Sequence, residues 1–144
     1  MNLDASALSI LRAVFALGGL SLVMAGWMGM TRLPAMRAAG LKLQDAAHTA
    51  DLNVLPSGAR RIADNYNHLF EAPTVFYAVA LAIIFAGVAD PAYAAAAWAF
   101  VVMRVLHSLV QATINKVPLR LICFVLSWMA LGYMIVRPLL TLHG

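Results

Sequence analysis

Apolar residues dominate four long segments of the chain, and polar residues collect in the stretches between them. The segments cover residues 6–30, 62–88, 92–114 and 119–140. Crossing about 30 Å of hydrocarbon takes about 20 helical residues, so each segment is long enough to span a bilayer. The pattern therefore predicts an all-α, four-helix membrane bundle that forms a single domain over residues 1–144.

The connections between the segments differ in length and in charge. Residues 87–91 and 115–118 form short links, so sequential helices are expected to pack as antiparallel neighbours. Lys116 lies in the last link, and the long first connection, 31–61, carries five basic residues: Arg32, Arg37, Lys42, Arg60 and Arg61. Because cytoplasmic loops are enriched in Lys and Arg, these connections are predicted to be cytoplasmic and both termini non-cytoplasmic.

Two features of the first half of the chain concern packing. Leu41, Leu43, Ala46 and Ala47 are compatible with a short interfacial helix in the first connection, and a solvated loop is an equal alternative. In the first segment, small residues allow close approach between helix backbones: Gly18, Gly19 and Gly26.

Composition supports the membrane assignment and limits the possible partners. The chain is 63% apolar and 11% charged, whereas a soluble domain is closer to 25% charged. The net charge of +4 comes from dispersed basic residues, so it indicates membrane topology and not nucleic-acid binding. Cys123 is the single cysteine, which excludes an intrachain disulfide.

A polar stripe runs through the apolar third segment. Arg104, His107 and Gln111 are spaced i, i+3, i+7, which places them on one helical face. A guanidinium keeps its charge at every relevant pH, and burying it in a bilayer costs at least about 2.5–3.5 kcal/mol. An intramembrane arginine therefore indicates a functional site when a partner is available.

The second segment carries a matching stripe that includes Asp64, Asn67 or His68, and Glu71. At about 1.5 Å per helical residue, Glu71 lies about 15 Å from Arg61, and Arg104 lies about 18 Å from Lys116. These similar depths on adjacent helices predict a Glu71–Arg104 ion pair, which would offset part of the desolvation cost. Pro73 is expected to loosen the helix just beyond Glu71.

The cytoplasmic half of the bundle thus collects cationic and hydrogen-bonding side chains. Arg120 has two interpretations, as an anchor to lipid headgroups or as part of an anion site at a helix N-terminus. Together the polar residues predict a cleft for a small anionic ligand, with an apolar co-substrate approaching from the lipid. The scattered His and Glu residues indicate no metal site. The residues of the predicted cleft are Arg60, Arg61, Asn67, Glu71, Arg104, His107, Gln111, Lys116 and Arg120.

Two motifs in these helices resemble a known family. The stretch Arg104-Val-Leu-His107-Ser-Leu-Val-Gln111, followed by Lys116-Val-Pro-Leu-Arg120, is similar to the third-helix motif of the MAPEG family. The name denotes membrane-associated proteins in eicosanoid and glutathione metabolism. The other family motif is similar to the second-helix residues Arg60, Asn67 and Glu71-Ala-Pro73. The sequence of this stretch is most similar to a bacterial branch of the family.

This resemblance implies a homotrimer that binds glutathione between neighbouring subunits near the cytoplasmic face. It implies that Arg120 stabilises the glutathione thiolate, and that seven residues contribute to glutathione binding: Arg60, Asn67, Glu71, Arg104, His107, Gln111 and Lys116. Three positions depart from the family pattern. Gln111 replaces a frequent tyrosine, Phe70 stands where the acid is usual so that Glu71 comes one residue later, and Ala63 replaces a frequent basic residue.

Two functional hypotheses follow from these observations. The first is a trimeric inner-membrane enzyme that conjugates glutathione to a small lipophilic electrophile or reduces a lipid hydroperoxide. The alternative is a non-enzymatic membrane protein of the same fold. In that case the polar interior would hold helices together, or it would bind another anion or a lipid headgroup.

Overall fold

The computed structural model describes residues 3–141, which are helical throughout their regular parts and contain no strand. It contains four long apolar helical stretches, each able to cross a membrane by length and composition, and this confirms the predicted architecture. Two short 3₁₀ segments, Leu43–Ala46 and Thr49–Val54, lie in the first connection. The five α-helices are α1 (Ala5–Ala38), α2 (Ser57–His68), α3 (Ala72–Phe85), α4 (Pro91–Ala112) and α5 (Val117–Thr141).

The first helix is longer than the apolar pattern predicted. The carboxylate of Asp4 caps its N-terminus by accepting a hydrogen bond from the backbone N–H of Ala7 at 2.7 Å. The helix continues beyond residue 30 to Ala38. The hydroxyl of Thr31 is accommodated within it by donating to the carbonyl of Trp27 at 2.9 Å.

The second span is not one continuous helix over 62–88 as predicted. It consists of α2 and α3, which are separated by the turn of residues 69–71. Pro73 lies in the first turn of α3, where a missing N–H costs no helical hydrogen bond. The loosening expected near Pro73 is therefore a break that starts a new helix.

The first connection folds back onto the end of α1. Leu52 and Leu55 are buried with Met36, whereas Leu43 is exposed. The two 3₁₀ segments are shorter than an interfacial helix, and the buried leucines distinguish the connection from a solvated loop. Neither of the two interpretations made from the sequence describes it fully.

The main core joins α1, α3, α4 and α5. Ile10, Leu17 and Leu131 are fully buried in it, and the rings of Phe76 and Phe100 stack with centroids 4.6 Å apart. α4 contributes more buried residues than any other helix, including several polar ones. Its polar face therefore points into the bundle.

The predicted close approach at the glycines of α1 is not made within the described chain. A Cβ atom added at Gly18, Gly19 or Gly26 would meet no neighbouring atom within 4 Å. The glycine face of α1 is open in the single subunit.

An ion pair fixes the end of the bundle that carries the turn between α3 and α4. Arg137 donates from Nη1 to Oδ1 of Asp90 at 3.0 Å, and its Cζ lies 4.5 Å from the centroid of the Tyr93 ring. Asp90 also caps α4 by accepting from the backbone N–H groups of Ala92 and Tyr93. We call this end the terminal end, and the end with residues 39–56 and 113–116 the link end.

The Asp90–Arg137 pair should make the stability of the protein sensitive to acid. The hydrogen bond from Arg137, and after it that from the N–H of Tyr93, lowers the pKa of Asp90 below its usual 3.8. The folded state therefore binds this proton more weakly than the unfolded state, and the stabilisation is present above pH 3.8 and lost as the pH falls through the lower, folded pKa. Asp90→Asn should lower the thermal midpoint at pH 7 by a few degrees.

Thermal unfolding in detergent across a pH series checks this expectation. The difference between wild type and Asp90→Asn should disappear in the acid range below the usual pKa. Asp4→Asn is the matched control, since Asp4 caps α1 at the same end. A difference between wild type and Asp90→Asn that stays constant into strong acid would contradict the assignment.

Candidate anion-binding site

The charge of Arg104 is buried between aromatic rings. Only 2% of the residue is exposed, and its Cζ lies 5.2 Å from the Phe100 centroid and 5.5 Å from the Phe124 centroid. Cation–π contacts of this kind attract the guanidinium without accepting its hydrogen bonds. Nε and Nη2 have no hydrogen-bond partner among residues 3–141.

The expected Glu71–Arg104 ion pair is not formed in the described part of the chain. Glu71 instead contacts Nδ1 of His68 at 3.0 Å and is exposed. The reason is the break after His68, which makes Glu71 the N-cap of α3 and removes it from the helical face of α2. The prediction assumed that this face continued without interruption.

His107 links α4 to the start of α5. Its Nδ1 donates to the backbone carbonyl of Arg120 at 3.1 Å, because that oxygen can only accept. Its Nε2 lies 3.0 Å from the side-chain amide of Gln111, which is 1% exposed. The Gln111 position, where a tyrosine is frequent in the resembling family, thus serves as a buried partner that orients the imidazole.

Arg120 is oriented from the opposite side by the turn before α5. Its Nη1 donates to Oδ1 of Asn115 at 2.8 Å. Asn115 adopts a left-handed backbone conformation with φ +49°, which asparagine tolerates better than most residues. The turn thereby holds the guanidinium at the link end of α5.

Arg104, His107 and Arg120 line one cavity, which we call the inner cavity. It measures about 200 Å³, and its remaining walls are His68, Val117, Leu121 and Phe124. Over the described range 3–141, its lining includes two guanidinium groups and no carboxylate. Val117 and Leu121 are exposed on the apolar outer surface of α5, so one wall of the inner cavity belongs to that surface.

A second recess, the polar recess, shares His68 and Arg120 with the inner cavity. It measures about 280 Å³ and brings together Asn67 and Gln111, two residues of the predicted cleft. Arg61 approaches the same region, where its Nη1 donates to the carbonyl of Thr113 at 3.0 Å. The residues that line the polar recess are Arg61, Asp64, Asn67, His68, Gln111, Asn115 and Arg120.

Arg60 lies in a third recess, the outer recess, between α2 and the end of α1. Its volume is about 150 Å³. The charged and amide-bearing residues that line it are Arg32, Asn53, Arg60, Asp64 and Asn67. Asp64 and Asn67 connect it to the polar recess. The structure therefore does not bring all the predicted residues into one cleft. Glu71 and Lys116 line none of the three spaces.

Several residues of this region were not identified from the sequence. Arg32 was interpreted only as a topology signal, and Phe124 and Asn115 were given no role. Asn65 is 0% exposed, and neither of its amide atoms has a partner within the described residues. Its burial could have been found from the apolar spacing of Ala59, Ile62 and Leu69, which places position 65 on the inner face of α2.

The arrangement suits an organic anion. Over the part of the chain that the structure describes, no group of three His, Cys, Asp or Glu side chains could hold a metal ion. Two cations line the inner cavity, while amides and charged groups line the polar recess. The fold and the site together define a four-helix integral membrane protein with a cationic pocket at one end of the bundle.

This chain belongs to the MAPEG family, whose model matches residues 10–140 and so covers nearly the whole chain. The match confirms the resemblance inferred from the motifs of the second and third segments. It associates the protein with a family of membrane proteins of glutathione metabolism. Comparison with curated proteins and with solved structures gave no match.

Two substitutions at Asn115 should separate its backbone role from its side-chain role. Asn115→Ala and Asn115→Gly both remove the hydrogen bond to Arg120, but only alanine is strained at φ +49°. Asn115→Ala should therefore be less stable than Asn115→Gly by about 1 kcal/mol. Equilibrium unfolding in mixed micelles measures the difference, and equal stabilities would contradict the left-handed conformation.

Asn65 allows a test of the buried polar interior. An unsatisfied buried amide costs about 1–3 kcal/mol, so Asn65→Leu should leave stability unchanged or raise it by about 1 kcal/mol. The same unfolding measurement applies, with Asn67→Leu as the control at an exposed position of the same helix. Strong destabilisation by Asn65→Leu alone would show that the amide has a partner.

Proposed function

We propose that the protein is a membrane-bound glutathione-dependent transferase or peroxidase that acts on small lipophilic electrophiles. The observation that carries this proposal is the position of Arg120, which lines both the polar recess and the inner cavity. A thiol held beside Arg120 would face a polar space on one side and a bilayer-facing apolar space on the other. These are the environments that a tripeptide and a lipophilic co-substrate require.

The polar recess supplies the groups that a charged tripeptide needs. The amides of Asn67 and Gln111 offer donors and acceptors for its peptide bonds. Arg60 in the adjoining outer recess and exposed Lys116 at the link end provide cations for its carboxylates. Glu71 is exposed beside His68 and can pair with the ligand's amino group.

Arg120 would act on the thiol by favouring its anion. A free thiol has a pKa of ~8.5, and a neighbouring cation raises the fraction of thiolate at neutral pH. The proton is released to water, so no general base is required. His107 supports this role because it binds the backbone carbonyl of Arg120, while Arg104 completes the cationic lining.

The lipophilic substrate would reach the thiolate through the bilayer-facing wall of the inner cavity. Val117 and Leu121 form this wall, and apolar side chains there allow an alkyl or aryl group to enter from the hydrocarbon. Conjugation and hydroperoxide reduction both begin with attack by the same thiolate.

The quaternary and cellular assignments belong to the same proposal. MAPEG proteins are generally trimers, and we infer a homotrimer in which the open glycine face of α1 meets another copy. We assign the link end to the cytoplasm, where glutathione is abundant, and both termini to the opposite side of a bacterial inner membrane. The basic residues of the first connection support this orientation.

A non-enzymatic protein of the same fold is the second candidate. Gln111 is the observation that favours it, since the phenol hydroxyl frequent in the family is missing from the site. The inner cavity would then hold a different anion or a lipid headgroup against Arg104 and Arg120. Binding without turnover would distinguish this function from the enzymatic one.

Substitution of Arg120 tests the enzymatic function. Arg120→Gln should remove the ultraviolet absorbance of bound thiolate and lower kcat/KM for a lipophilic electrophile about 100-fold, because one charged stabilising group is lost. Arg120→Lys should retain part of both signals. Glutathione affinity is measured in parallel by isothermal titration of the detergent-purified protein.

Arg37→Gln is the matched control, since Arg37 is an exposed arginine at the same end and lines none of the three spaces. It should retain full activity and full thiolate absorbance. Wild-type protein that neither binds glutathione nor turns over an electrophile would refute the enzymatic proposal.

A further inference from the structure

The inner cavity holds a second cation that thiolate stabilisation does not use. Arg104 is 2% exposed, and within residues 3–141 its Nε and Nη2 have no hydrogen-bond partner. A permanently charged group in this position is costly unless an anion joins it. The partner expected from the sequence, Glu71, contacts His68 instead. The charge of Arg104 is therefore available to a ligand in the inner cavity.

The two guanidinium groups lie at successive levels of this cavity. Phe124 follows Arg120 by four residues, and Arg104 lies against the ring of Phe124 with its Cζ 5.5 Å from the centroid. Four residues advance a helix by about 6 Å, or one turn. The guanidinium of Arg120 bonds to Asn115 in the turn before α5, so it lies at the link end of the cavity, and Arg104 lies at least about one turn deeper.

We propose that Arg104 is a catalytic residue that stabilises the negative charge received by the acceptor, and that the acceptors are lipophilic α,β-unsaturated carbonyl compounds. This inference rests on the proposed glutathione function. The thiolate at Arg120 attacks the β-carbon and forms the C–S bond. The π electrons of the C=C bond shift, so that the negative charge moves to the carbonyl oxygen beside Arg104. Water then protonates the α-carbon, which restores the proton that the thiol had lost.

The separation of the two cations selects this class of acceptor. In conjugate addition, the charge appears on an oxygen several bonds beyond the attacked carbon, which corresponds to the deeper level of the cavity. In attack on a hydroperoxide or an epoxide, the charge appears on the atom next to the attacked one and therefore stays close to Arg120. Apolar walls then accommodate the alkyl chain, with Leu121 exposed on the outer surface of the bundle.

Burial gives Arg104 the properties of a preorganised electrostatic group. The rings of Phe100 and Phe124 hold the guanidinium in place before any substrate binds. A donor that is fixed and desolvated in advance needs no reorganisation when charge develops, and such groups contribute about 10²–10³ to kcat. The main effect of removing Arg104 should accordingly be on kcat.

The test compares two acceptors of equal chain length, a nonenone and a nonyl hydroperoxide, with the full chain in neutral detergent and saturating glutathione. Arg104→Gln should lower kcat for the enone about 100-fold and leave KM within about threefold. Its effect on the hydroperoxide should be much smaller, and the thiolate absorbance should be unchanged. Arg37→Gln should alter none of these quantities.

Three results would overturn the proposal. A rise in KM at constant kcat would make Arg104 a ground-state binding group. An equal loss of kcat for the enone and the hydroperoxide would show that Arg104 does not act on the more distant oxygen of an enone. Loss of the thiolate absorbance would assign Arg104 to the glutathione thiol. If Arg104→Gln does not fold, Arg104→Lys takes its place, and the loss of the guanidinium fork should lower kcat for the enone about tenfold.

A binding measurement distinguishes failure of this inference from failure of the proposed function. If the wild type forms no glutathione thiolate, dodecanoate can represent the oxyanion without any reaction. The wild type should bind dodecanoate at least about tenfold more tightly than dodecanol, and Arg104→Gln should clearly reduce this preference while Arg104→Lys keeps it. The same preference in wild type and Arg104→Gln would refute a role for Arg104 in stabilising an oxyanion.

Discussion

The link end of this protein depends on one constraint, a guanidinium that cannot lose its charge inside an apolar bundle. Arg104 is placed in α4, the helix with the most buried residues, and two aromatic rings hold it. Such rings attract the cation but leave its N–H groups unsatisfied. Among the residues that the structure describes, no carboxylate bonds to Arg104, and none lines the inner cavity beside it.

Hydrogen bonds around Arg104 fix the positions of the neighbouring residues of the site. His107 lies one turn after Arg104 and bonds to the backbone of Arg120, so α4 fixes the start of α5. Asn115 orients the Arg120 side chain from the turn between these helices. Gln111 completes the chain of contacts by orienting His107. The two cations are thus positioned by different contacts: Arg120 by its hydrogen bond to Asn115, and Arg104 by the rings of Phe100 and Phe124.

Helical periodicity was sufficient to predict the four spans and the polar face of α4. It correctly grouped Arg104, His107 and Gln111, because that helix is regular from Pro91 to Ala112. It was wrong for Glu71, because local backbone chemistry at Pro73 interrupts the second span, and every residue beyond the break changes direction. It also gave no role to Arg137, since a partner that lies 47 residues away along the chain leaves no local pattern.

Each end of the bundle holds an arginine against aromatic rings, and the two arginines differ in whether a carboxylate also bonds to them. At the terminal end, Arg137 has both aromatic contacts and the carboxylate of Asp90, so its charge is satisfied within the chain. At the link end, Arg104 has aromatic contacts but no bonded carboxylate among residues 3–141. Asp90 and Arg137 show that this fold can pair a carboxylate with an arginine that also contacts aromatic rings. Among the residues that the structure describes, Arg104 is left without one, and this supports the proposed anion site over a role in helix packing alone.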